Sequence, residues 1–215
     1  MLGLARRRSA TAGLVALVAA TLLAVPSADA QPAGAGALRG ADLLGALRAG
    51  GLILYFRHAD TDHNQKDTRT GSVEDCASQR NLTDRGRDHA RAIGEAIRAL
   101  EIPIGVVVAS PLCRTVETAT LAFGAAERSQ AAREAGPAPP GSPDRFAALR
   151  GLLSTMPASG TNAVIVGHAY PFYSLAGGQY LDEGQAAVVR PGGAGIQILA
   201  RVGLKEWREL AALPR

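Results

Sequence analysis

The chain has 215 residues and a formal net charge of +4, which falls to +2 once the three Arg and one Asp of its first thirty residues are set aside. A nearly neutral body lacks the basic face of a nucleic-acid binder, and with only 4% aromatic residues it has little surface for stacking bases. The 185 residues after position 30 suit one domain around a single large core.

The N-terminal stretch reads as a secretory leader. Arg6-Arg7-Arg8 is a basic start, and Leu14 to Val25 is an apolar run too short to span a bilayer comfortably. Ala28-x-Ala30 is a small-residue cleavage signal before Gln31. The expectation is a signal peptide over 1–30, export to the periplasm or the exterior, and no stable membrane insertion after cleavage. Two routes stay open, general secretory and twin-arginine. Residues 31–39 read as a linker and 40–215 as the domain.

Ala41 to Ala49 has helical spacing, with Leu43, Leu44 and Leu47 on one face and Gly50-Gly51 as the stop. A strand follows over 52–56. Residues 59–81 form a long polar loop, and loops of that length in a compact domain are usually functional. Thr83 reads as the N-cap of a helix reaching about Leu100, striped by Ala90, Ile93, Ala96, Ile97 and Leu100. A second strand is expected over 105–109. Pro111 fits the first turn of a helix with its body at Cys113 to Phe123. The Ala-, Gly- and Pro-rich stretch 124–143 reads as a loop or loosely held insertion. An amphipathic helix over 145–156 and a strand over 163–166 come next. Ala187 to Val189 and Ile196 to Ala200 read as the last two strands, antiparallel across a Pro-Gly-Gly turn.

The runs at 52–56, 106–109 and 163–166 are continuously apolar, as strands buried on both faces of a parallel sheet are. The fold class is therefore α/β: a three-layer αβα arrangement with a mostly parallel central sheet of about five strands, one of them antiparallel. Ligands in such sheets sit beyond the carboxyl ends of the strands. There the three runs deliver Arg57-His58, Ser110 to Arg114, and Gly167-His168. Two guanidiniums and two imidazoles in one crevice suit a dianionic phosphoryl group.

Cys76 and Cys113 lack metal-ligand spacing, so no metal and no cofactor are expected. In an exported protein they can pair as a disulfide that pins the long loop against the Arg114 turn. Two buried free thiols are the other reading.

Arg57-His58-Ala59, Ser110 to Ala119, and Val166-Gly167-His168 occur in that order, each at a strand end. With Asn81 to Arg87 they resemble the histidine phosphatase superfamily, the phosphoglycerate-mutase-like fold, over about residues 50–200. The resemblance implies a phosphohistidine on His58 and a phosphate clamp of Arg57, Arg114 and His168. Joined to the leader, it implies an exported phosphomonoesterase acting on a small phosphorylated substrate or an envelope phosphate, with no nucleic-acid partner. A phosphomutase, or a phosphate-binding protein with little turnover, is the alternative.

The general acid stays open. One branch of the family uses a Glu between the second Arg and the second His. Another uses an Asp directly after that His, where this chain has Ala169. Glu127 and Glu134 lie in the Ala-rich stretch, and Asp60 follows His58 by two residues. Glu117, one turn after Arg114, and Glu183, before the fourth strand, stand equal. Lack of a dedicated acid would suit a substrate with a good leaving group. From the long loop, Thr61, Asn64 and Arg80 are expected to bind substrate. His63 and His89 are expected on the surface, and Trp207 is expected to pack the C-terminal segment.

Overall fold

The computed structural model describes residues 37–68, 72–133, 144–192 and 195–213. The leader, the first part of the linker, and Glu134 lie outside the described residues. In chain order the elements are α1 (Gly40–Ala49), β1 (Ile53–Arg57), α2 (Asp84–Ala99), β2 (Ile104–Ala109), α3 (Cys113–Phe123), β3 (Glu127–Arg128), α4 (Ala147–Ser154), β4 (Asn162–Gly167), α5 (Ala169–Ala176), β5 (Ala186–Arg190), β6 (Gln197–Val202) and α6 (Leu204–Ala211). The sheet order is β3-β2-β4-β1-β5-β6. β1 and β2 both pair with β4 in parallel, and β3 is parallel to β2. β5 runs antiparallel to both of its neighbours.

Side chains on a strand alternate between faces, so each central strand feeds two cores. Leu54, Phe56, Val164 and Val166 pack on one face against residues of α1, α2, α3 and α6. Ile53, Tyr55, Ala163 and Ile165 pack on the other against α4 and α5. This is the expected three-layer plan, with β1 and β4 buried on both faces. β2 departs from it. Gly105 and Val106 are exposed, Val106 at 45%, and only Val108 and Ala109 are buried. The partner on its outer side, β3, reaches only Val108 and Ala109, so the first half of β2 runs as an edge. A run of valines does not distinguish an edge strand from a central one.

β3 is the sixth strand, and it lies in the stretch read as loop. A two-residue strand carries no periodicity. Ser129 N then donates to Ala109 O at 2.8 Å, and Ala132 is fully buried in the second core. Thr83 caps α2 as expected, its hydroxyl accepting from Gly86 N at 3.0 Å. α3 has the expected bounds, but Leu112 is its N-cap, so Pro111 lies ahead of the first turn. α5 and α6 add two helices to those expected. Trp207 of α6 is fully buried, its ring 6.4 Å from that of Phe56. Leu38 N donates to Leu199 O at 2.8 Å, so residue 38 is tied to β6 rather than being free linker. No helix among the described residues is long and apolar enough to cross a membrane.

Candidate active site

β1 and β4 end side by side, with Arg57 in register with Gly167. The next residue on each is a histidine. His58 N donates to Gly167 O at 3.1 Å, and the His58 and His168 rings meet edge to face at 5.6 Å. The Tyr55 hydroxyl locks the second histidine's backbone, donating to His168 O at 2.9 Å and accepting from His168 N at 3.0 Å. Position 167 must be Gly, since a Cβ there would run into that hydroxyl.

His58 Nδ1 lies 2.9 Å from Ala59 O. A carbonyl only accepts, so Nδ1 carries the proton and Nε2 keeps its lone pair. Burial, reinforced by the charges of Arg114 and Arg57, pushes the His58 pKa down to about 3 against the lifting effect of the Ala59 bond. The ring is therefore a neutral imidazole at ordinary pH. His168 is also held well below its usual range, first by burial and then by Arg114. Its Nε2 lies 2.9 Å from Ser110 Oγ.

Arg114 stands in the first turn of α3 at 1% exposure. Its Nη1 donates to Asp67 Oδ1 at 3.0 Å. Two ties aim that turn. Gln79 Oε1 accepts from Cys113 N at 2.9 Å, and Cys76 and Cys113 form a disulfide with Cα atoms 5.6 Å apart. The expected bridge is present, between the loop after β1 and the Arg114 turn.

Arg57 donates from Nη1 to Leu181 O at 2.9 Å and from Nη2 to Glu183 Oε1 at 3.2 Å. Glu183 also accepts from Thr61 Oγ1 at 2.8 Å and Thr61 N at 3.2 Å. Gly184 N donates to His58 O at 2.9 Å, so the Glu183 segment hangs from the backbone of the first histidine. Burial lifts the Glu183 pKa. The two Thr61 bonds, with the fields of His58 and Arg57, outweigh that and leave it below the usual value.

The structure thus brings together Arg57, His58, Arg114, His168, Glu183 and Thr61. Arg80 joins them at the edge. Its Nη1 lies 3.3 Å from His63 Nδ1, and its charge is felt at His168. Other expected residues are engaged elsewhere. Glu117 accepts from Arg87 Nε at 2.6 Å, bridging α3 to α2, because that guanidinium faces it across the helix pair. Asp60 is held by Arg85 at 2.6 Å and His89 Nδ1 at 2.9 Å. Asn64 bonds to Asp62, in an exposed turn. Among the described residues, no hydrogen bond or ion pair takes Glu117 or Asn64 to the paired imidazoles. Glu127 sits exposed on the edge strand β3.

His63 is 66% exposed as expected, yet it bridges Arg80 and Glu183. His89 is not a surface residue, with 18% of its side chain exposed behind Asp60. Asp67, Ser110, Gln79 and Tyr55 contribute without having been singled out by sequence. Ser110 stands inside the motif that carries Arg114. Asp67 carries no signal in a loop with no periodicity. Among the described residues no group of three or more His, Cys, Asp or Glu is placed to hold a metal ion.

Residues 53–135 match the family model of the histidine phosphatase superfamily (branch 1). No curated protein matches the chain. Among solved structures, TTHB049 from Thermus thermophilus is similar at 20% identity, over 71% of this chain and 99% of that one, with a TM-score of 0.50. The protein histidine phosphatase SixA complexed with tungstate is similar at 15% identity, over 72% and 97%, with a TM-score of 0.48. A phosphoserine phosphatase mutant from Entamoeba histolytica in complex with phosphoserine is similar at 13% identity, over 72% and 98%, with a TM-score of 0.49. The family match covers the segment that carries both His58 and Arg114, and over that segment the chain is similar to the histidine phosphatase superfamily.

Proposed function

We propose that this protein is an exported phosphomonoesterase that works through a phosphohistidine on His58. The observation that carries the reading is the state of that ring: buried, neutral, protonated on Nδ1 and therefore nucleophilic at Nε2, with Arg57, Arg114 and His168 around it. Nε2 attacks phosphorus as the ester P–O bond breaks. Water then cleaves the N–P bond, so one difficult displacement becomes two easier ones. The arginines and the second imidazole hold the phosphoryl oxygens where charge develops. Arg57 and Arg114 already hold the carboxylates of Glu183 and Asp67, oxygen pairs of the kind a phosphoryl group supplies. Among the described residues, Glu183 is the one carboxylate of those weighed as the acid that stands with this cluster.

Export is proposed from the leader over 1–30 together with the Cys76–Cys113 bridge, a bond that persists in oxidising compartments. The substrate is a small phosphorylated compound or an envelope phosphate, and no nucleic acid is involved. One observation favours a phosphate-binding protein with little turnover: Glu183 is held below its usual pKa and so brings no resting proton.

The test is to trap the intermediate. The mature protein, incubated with a labelled phosphomonoester, is expected to carry an acid-labile, base-stable label. His58→Ala should lose both the label and several orders of magnitude of turnover. Steady release of phosphate supports the esterase. A single burst with slow release supports the binding protein. A His58→Ala variant that kept most of its turnover would refute both.

A further inference from the structure

His63 is held at the mouth of the site between two opposite charges. A guanidinium only donates, so the 3.3 Å contact with Arg80 Nη1 makes His63 Nδ1 an acceptor and leaves the ring proton on Nε2. Nε2 lies 3.4 Å from Glu183 Oε1. Two-thirds of the side chain is exposed, so the outer part of a substrate can reach it.

Glu183 is in the opposite position. Its two oxygens take Thr61 Oγ1, Thr61 N and Arg57 Nη2, besides facing His63. A carboxylate so surrounded by donors holds charge rather than a proton. Its lowered pKa agrees. His63 is the accessible group beside it that carries a transferable proton.

Resting on the phosphatase reading above, we propose that His63 protonates the leaving oxygen, and that Glu183 is its orienting carboxylate rather than the acid itself. As a phosphoryl group enters, Arg80 turns to it, and Nδ1 of His63 takes a proton from solvent. The Glu183 charge holds the resulting imidazolium. In the first transfer His58 Nε2 forms the N–P bond, the P–O bond breaks, and the alkoxide leaves as an alcohol with the proton from His63. In the second, water attacks phosphorus, the N–P electrons return to His58, and neutral His63 takes the proton that water loses. The ring ends as the imidazolium and returns the borrowed proton to solvent as Arg80 comes back to Nδ1, and one ester and one water have become one alcohol and one phosphate.

A proton donor matters for a poor leaving group and little for a good one. The experiment is kcat/KM of wild type, His63→Gln and Glu183→Gln on p-nitrophenyl phosphate and on glycerol phosphate. The aryl-to-alkyl ratio is expected to rise about 10²-fold in His63→Gln, the scale of one general acid, and to rise in Glu183→Gln as well. Equal losses on both esters, or none, would overturn the role of His63. So would a ratio that moves in Glu183→Gln alone, which makes Glu183 the donor. His63→Asn, if the first variant does not fold, is judged by the same ratio. A wild type that hydrolyses neither ester removes the phosphatase reading, and this proposal with it. An unchanged ratio in an active, phosphorylated variant removes this proposal only.

Discussion

Asp67 Oδ1 accepts from Arg114 Nη1 at 3.0 Å while the same oxygen accepts the Arg80 amide at 2.9 Å. One carboxylate from the long loop thus sits on the guanidinium at the floor of the site. Burial lifts its pKa, but the Arg80 amide and Arg114 prevail and keep it ionised. An incoming phosphoryl group must compete with it. Asp67→Asn is therefore expected to tighten inorganic phosphate binding about two- to fivefold, the scale of a half-exposed ion pair. Competitive inhibition measures this, and weaker binding would mean that Asp67 aims Arg114 instead of competing with the ligand.

Arg114→Lys keeps the charge and loses the fork. A fall of about two to three orders in kcat/KM is expected, the scale for removing one preorganised donor. A variant close to wild type would place Arg114 outside the chemistry.

The Cys76–Cys113 bridge spans 37 residues and ends one position before Arg114. In the chain-entropy model such a loop contributes about 3–4 kcal/mol. Reduction is expected to lower the melting temperature and also to cost activity, because the Arg114 turn loses its tie. Thiol titration of denatured, unreduced protein should find none at Cys76 and Cys113.

Acid should unfold the protein early. The folded His58 pKa is about 3 and that of His168 is well below 6.5, whereas both sit near 6.5 when unfolded. Below pH 6.5 the unfolded chain takes up protons that the folded site refuses. Stability is therefore full above that value and declines as pH falls from 6.5 toward 3, with a slope nearing about 1.4 kcal/mol per pH unit for each histidine. Thermal melts between about pH 7 and pH 4 follow this, and His58→Ala should show a shallower decline. An equal decline in that variant would assign the effect to other groups.

Gly86, in the first turn of α2, presses on the backbone of Asp60, two residues beyond His58. A Cβ at position 86 would collide with the Asp60 carbonyl oxygen. Gly86→Ala is expected to cost about 1–3 kcal/mol, as overpacking does, and to lower kcat by shifting the His58 loop. Denaturant midpoints and kcat check this together.

The meeting of Arg57, His58, Arg114 and His168 was legible in the sequence because each follows a continuous apolar run, and an α/β sheet gathers the carboxyl ends of its strands. Thr83 as a cap and the limits of α3 were legible because capping and helical periodicity are local. β3, of two residues, is too short for any periodicity to show, whereas α5 and α6 were missed although α4, of the same eight-residue length, was expected.

The choice between Glu117 and Glu183 was not local. Glu117 lies three residues after Arg114, yet Arg87 of another helix takes its carboxylate. Glu183 is 126 residues from Arg57, yet the turn before β5 carries it there, with Gly184 hung from His58. By itself the sequence determined the layer plan and the gathering of Arg57, His58, Arg114 and His168 at the strand ends, which follow from runs of a few residues. Only the tertiary structure decided which carboxylates and which surface histidine meet them. Those contacts depend on how loops and helices distant along the chain pack at one edge of the sheet, and residue spacing does not encode that packing.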